Sequence, residues 1–195
     1  MNNSPFTDAH DSLERNEFWI ALNEFRRAAE LHMPSHADLI NLSVSEDEDR
    51  VTFRRELVQR YPDSLHCHLS LFAILRLIGR PAMVVAAATR FLEARLDNSL
   101  DVPSIRFIRF KCAIEAKTYE FIREDLRELW FSEESTGNRP NVRRSLASII
   151  ARSADPKFAD TLDELSHDLS FAEVVILFLR AKAAELRLLQ NIEET

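Results

Sequence analysis

The sequence predicts an all-helical chain, and three observations carry that reading. Only two glycines, Gly79 and Gly137, occur in 195 residues, whereas sheets draw on glycine for tight turns and bulges. Apolar residues recur at three- and four-residue spacings over most of the length, the period of an amphipathic helix. The recurrences are cut at Pro34, Pro62, Pro81, Pro103, Pro140 and Pro156, where a helix stops or starts.

Taken in order, residues 1–11 are polar and predict a flexible N-terminus. Asp11 or Ser12 caps a helix over Leu13–His32, with Phe18, Ala21, Leu22, Phe25, Ala28, Ala29 and Leu31 on its apolar side. Ser35 caps a short second helix carrying Leu39, Ile40 and Leu42. The acidic run Glu46–Asp49 suits the positive end of the next helix, which runs to Tyr61. Pro62-Asp63-Ser64 leads into a helix ending at Ile78, where Gly79 can take the left-handed conformation and Pro81 opens the following helix to Arg95. Pro103 opens a helix through Ala116 that is apolar nearly all round and therefore central. Its partner carries Tyr119, Phe121, Ile122, Leu126, Leu129, Trp130 and Phe131. The polar loop at 132–139 is the best place for an internal hinge. Helices from Pro140 or Asn141, from Pro156 to His167, and from Phe171 to Gln190 complete about nine helices, nearly all in antiparallel pairs. Residues 12–195 thus read as one all-helical domain.

A net charge of −7 disfavours non-specific binding to nucleic acid. Two glycines exclude both glycine-rich nucleotide fingerprints. Two cysteines, Cys67 and Cys112, make neither a disulfide framework nor a four-ligand zinc site. The first residues lack the basic and apolar regions of a signal peptide. The run Phe171–Leu179 is far shorter than the roughly 20 residues that span a bilayer. A cytoplasmic protein without a membrane partner is the expectation.

The 34 residues Leu65–Asn98 form one apolar helix, a Gly-Arg turn, a second apolar helix and a polar stop. With Gly79 at the turn, Tyr61-Pro62-Asp63-Ser64 closing the preceding unit and Tyr119 two residues after the next turn, the stretch resembles the tetratricopeptide repeat family, whose unit is a helix-turn-helix of about 34 residues. The likeness extends loosely over residues 31–136; Arg50, Val84 and Ile122 stand where the family has a small residue, and Ser99–Val102 interrupts the register. The resemblance implies a right-handed α-solenoid of antiparallel helix pairs, with a long C-terminal capping helix and a groove that binds a peptide or protein. It implies groove positions His66, Leu69, Ala73 and Arg76 in one unit and Ser104, Phe107 and Lys111 in the next. Arg76 and Lys111 could clamp an acidic group or a chain-terminal carboxylate.

Other constellations read as structural. His66-Cys67-His68 places its histidines two apart, on diverging faces of a helix, so no metal site and no thiol-base pair follows. The acidic run lacks the alternating ligands and central glycine of a calcium loop. Arginine outnumbers lysine 21 to 4, with clusters at Arg54/Arg55/Arg60, at Arg106/Arg109 beside Lys111, and at Arg139/Arg143/Arg144/Arg152. These support an alternative, a helical nucleic-acid-binding or regulatory protein, that the acidic balance makes the weaker one. The last helix, with Phe171, Val174, Val175, Leu177, Phe178, Ala181, Leu186 and Leu189, caps the stack or packs on a second copy as a homodimer. The expectation is a non-enzymatic adaptor or chaperone with no cofactor.

Overall fold

The computed structural model describes residues 4–15, 18–35, 38–39, 47–94, 102–131 and 139–193. Among them are ten helices and no strand: α1 (Thr7–Glu14), α2 (Phe18–Leu31), α3 (Asp47–Arg60), α4 (Leu65–Leu77), α5 (Pro81–Ala94), α6 (Val102–Glu115), α7 (Ile122–Phe131), α8 (Arg139–Arg152), α9 (Phe158–Leu165) and α10 (Glu173–Glu193). The chain is all-α. It divides into two compact units, residues 1–80 and 81–195, and the division falls inside the Leu65–Asn98 stretch, between Arg80 and Pro81.

In the first unit α1 packs on α2 and α3 on α4. The core gathers Phe6, Leu22, Phe25, Ala29, Leu39, Phe53, Leu57 and Cys67. Helix α1 corrects the expectation of a loose N-terminus and of one continuous helix from Leu13. Ser4 starts the helix by accepting the Thr7 N–H on its carbonyl (3.0 Å) and the Phe6 N–H on its hydroxyl (3.3 Å). Phe6 and Ala9, three apart, then bury one face, and the Ser12 hydroxyl, also buried, donates to Glu24 at 2.6 Å. Helix α4 begins as expected: Ser64 caps it, accepting the Cys67 N–H at 3.4 Å. Gly79 ends it at φ +71, with Gly79 N–H on the Arg76 carbonyl and Arg80 N–H on the Leu75 carbonyl at 2.8 Å.

In the second unit α5 packs on α6, α6 on α7, and α9 on α10, with lighter contact of α7 on α8 and α9. Ile105, Phe110, Cys112 and Ala113 of α6 are fully buried, as its apolar surround requires. Three starts fall two or three residues later than expected. Helix α7 begins at Ile122 rather than Tyr119, α9 at Phe158 rather than Pro156, and α10 at Glu173 rather than Phe171, because the residues in between form hydrogen-bonded turns. The hinge expected at 132–139 falls almost wholly outside the described residues. So do most of the short helix after Ser35, the side chains of Glu46–Asp49 and the linker at 99–101. No helix among the described residues is long and apolar enough to cross a membrane.

Candidate functional site

The arginines are mostly committed to the fold. Arg109 is buried on α6, and its Nε and Nη2 donate to the two carboxylate oxygens of Asp125 on α7 at 2.8 and 2.7 Å. Arg106 adds a bond to Asp125 at 3.2 Å and one to Glu124 at 2.5 Å, and the Arg109 guanidinium lies 4.4 Å from the centre of the Phe121 ring. Burial pushes the Asp125 carboxyl up, while Arg109 and Arg106 pull it back. Arg143 donates twice to the Trp130 carbonyl, at 3.1 and 2.7 Å. Arg54, buried, donates to Ser70 at 2.8 Å, and burial together with Arg50 lowers it to about 10.

The positions expected to line a groove are split between the units. His66, Leu69, Ala73 and Arg76 share one face of α4, exposed except for half-buried Leu69. Ser104, Phe107 and Lys111 share one face of α6, with only Ser104 fully exposed. The neighbouring residues have structural roles. His68 is buried, with Nε2 2.9 Å from the Pro62 carbonyl, and burial pushes the Cys67 thiol up, away from the reactive thiolate. Among the described residues no three His, Cys, Asp or Glu side chains converge on a position that could hold a metal ion.

Two clefts remain. In the first unit a hollow of about 410 Å³ is lined by Arg26, Glu30, Phe53, Glu56, Leu57 and Arg60. Its two arginines and two glutamates balance in charge: Arg26 pairs with Glu56 at 3.1 Å, and Arg60 donates to the backbone carbonyl of Glu30 at 3.4 Å. In the second unit a cleft of about 510 Å³ lies between the end of α6, the α8–α9 turn and α10, lined by Ile114, Lys117, Ser153–Lys157 and Gln190. Here the charge is not neutralised. Asp155, its one carboxylate, accepts the Tyr119 hydroxyl at 2.5 Å and the Lys157 backbone N–H at 3.3 Å. Tyr119 is fixed by stacking on Phe158 with centres 4.9 Å apart, and burial and then Asp155 hold its hydroxyl protonated as a donor. Neither Lys117 nor Lys157 is ion-paired among the described residues, and two of the chain's four lysines therefore stand at this one rim.

No protein-family model, curated protein or solved structure matches the chain.

The chemistry of the cleft has to be read from its own geometry, and Lys117 is its most telling residue. It ends α6 as Gly79 ends α4: Lys117 N–H bonds the Ile114 carbonyl at 3.2 Å, and Thr118 N–H bonds the Ala113 carbonyl at 2.9 Å. The position has φ +56, and no other non-glycine residue among those described has a positive φ. A side chain there costs about 1 kcal/mol that glycine avoids. Lys117→Gly is therefore expected to raise stability by about 1 kcal/mol in urea unfolding, while removing one of the two cationic arms. The sequence marks Lys117-Thr118 only as a turn; the signal available was a lysine in a slot where glycine is the usual residue.

Proposed function

We propose that the chain is a non-enzymatic protein-binding protein, an adaptor or chaperone of the tetratricopeptide-like helical-repeat kind working in the cytoplasm. It holds a partner segment at the Lys117–Lys157 cleft. The observation that carries the reading is the strained Lys117 kept at the rim of a cleft whose one carboxylate is already engaged. The ammonium groups of Lys117 and Lys157, with Ile114, Ala154 and Pro156 in the same lining, suit a chain-terminal carboxylate that follows an apolar residue. The packing of successive helices within each unit, α3 on α4 and α5 on α6, and the matching C-caps of α4 and α6 support the helical-repeat reading. Buried, unbridged Cys67 and Cys112 suit a reducing compartment. The nucleic-acid alternative has less support, since Arg106, Arg109 and Arg143 are turned to partners inside the fold.

Fluorescence anisotropy with short peptides ending in leucine tests this. Amidation of the peptide terminus is expected to weaken binding about tenfold or more, as is Lys117→Glu with Lys157→Glu. The Arg76→Glu, Lys111→Glu variant is expected to bind as wild type. Loss in that variant alone would move the site to the faces of α4 and α6. Tighter binding of single-stranded RNA, with a steep salt dependence, would favour the alternative.

A further inference from the structure

Helix α10 is apolar on two sides. Leu179, Ala183 and Leu186 are buried, on the side that packs on α9. At about 100° per residue, Val174, Leu177, Ala181, Ala184 and Leu188 form a second stripe nearly opposite. This stripe is exposed: Val174 72 %, Leu177 57 %, Leu188 64 %, with Ile192 beside it at 71 %, and both alanines are open as well. A helix that only capped a stack would turn a polar side outward. The spacing of the stripe is three, four, three, four, the seam of a two-stranded coiled coil, with Val174, Ala181 and Leu188 at one core position and Leu177 and Ala184 at the other.

The charges beside the seam select the occupant. Glu173, Arg180 and Arg187 form one flanking column; Phe178, Glu185 and Ile192 form the other. In a parallel pair of identical helices the two columns face each other, so Arg180 of each copy meets Glu185 of the other, twice by symmetry. In an antiparallel pair each column faces itself: centred on Arg180, this sets Arg180 on Arg180 and Glu185 on Glu185, and its only opposite-charge contacts, Glu173 with Arg187, draw on an arginine already held within the chain. Both partners of the favoured pair are accessible. Glu185 is 59 % exposed; its Oε1 accepts the buried Lys182 ammonium at 2.7 Å, and its Oε2 makes no hydrogen bond among the described residues. Arg180 is exposed, with its Nε on Ser166 at 3.3 Å and Asp163 nearby. Arg187 is already held by Asp160 and Asp163 at 3.3 and 3.0 Å. The two central alanine layers allow close approach of the helix backbones.

We propose that the chain self-associates as a parallel dimer through the Val174–Leu188 stripe of α10, with reciprocal Arg180–Glu185 pairs setting its orientation. The inference goes beyond the cleft reading and does not rest on it. Gln190, the α10 residue of the cleft, lies about 160° around the helix from the stripe, so a dimer would leave both clefts open and present two partner sites at once.

Sedimentation equilibrium of the purified full chain tests this, with helicity checked by circular dichroism. Wild type is expected to dimerise with rising concentration, and Leu177→Glu to remain monomeric. Arg180→Glu is expected to weaken association about tenfold, and adding Glu185→Arg in the same chain to restore it, both in a Lys182→Met background so that no buried ammonium loses its Glu185 partner. That rescue is a readout that misfolding could not produce. Orientation is read from Leu188→Cys, which in a parallel dimer oxidises to a self-crosslink. A wild type that stays monomeric overturns the proposal. So does a dimer indifferent to Leu177→Glu, a charge reversal without rescue, or a Leu188→Cys dimer that does not crosslink.

Discussion

Replacing Arg109 by alanine is expected to cost about 3–5 kcal/mol in urea or thermal unfolding, because it strands a buried carboxylate. Asp125 has no measurable exposure and takes both of its close bonds from Arg109, with Arg106 reaching only one oxygen at 3.2 Å. The cost should depend on pH in a defined direction. Burial already raises Asp125, and removing Arg109 raises it further. A carboxyl that holds its proton better folded than unfolded makes stability fall as pH rises through the interval between the two values, and makes it recover on acidification. The deficit of Arg109→Ala is therefore expected to shrink as pH drops towards about 4, the ordinary aspartate range. The double variant Arg109→Met, Asp125→Leu should recover most of the loss at neutral pH, since apolar groups of similar volume need no partner. A single variant within about 0.5 kcal/mol of wild type would show that the pair contributes as an exposed pair does.

The second large loss is expected at Phe25. Its ring is fully buried, 4.6 Å from Phe6 and 5.3 Å edge-on from Phe53. Phe25→Ala removes the centre of the first unit's core and should cost about 3–5 kcal/mol by lost transfer energy and the cavity left behind. Phe25→Leu, which retains much of the volume, should cost less. Phe6→Ala is the informative companion. A loss above about 1 kcal/mol would show that the N-terminal stretch is part of the core, and a loss near zero that α1 contributes little.

These sites also show where the sequence was legible. The ends of α4 were readable because Ser64, Gly79 and Pro81 each act locally, through a cap, a left-handed residue and a first-turn proline. Helix α1 was not readable: Phe6 and Ala9 are two apolar residues in a polar stretch, and what buries them is Phe25, far along the chain. The candidate cleft was hidden for the same reason. Tyr119 and Asp155, 36 residues apart, meet only after α6 to α9 have packed. The same packing brings Lys117 and Lys157 to one rim. The arginine clusters look like a charged surface in one dimension, whereas Arg109 and Arg143 lie against Phe121 and Trp130 in three. The apolar breadth of α10 was visible throughout; which half of it packs on α9 was not.

The most direct test of partner binding at the cleft is a backbone amide NMR titration of the isotope-labelled full chain with a peptide ending in a free leucine carboxylate. Binding there predicts shifts confined to Ile114–Thr118, Ser153–Lys157 and the neighbourhood of Gln190, absent with the amidated peptide. Shifts centred on His66–Arg76 of α4, or a spectrum unchanged at saturating peptide, would contradict it.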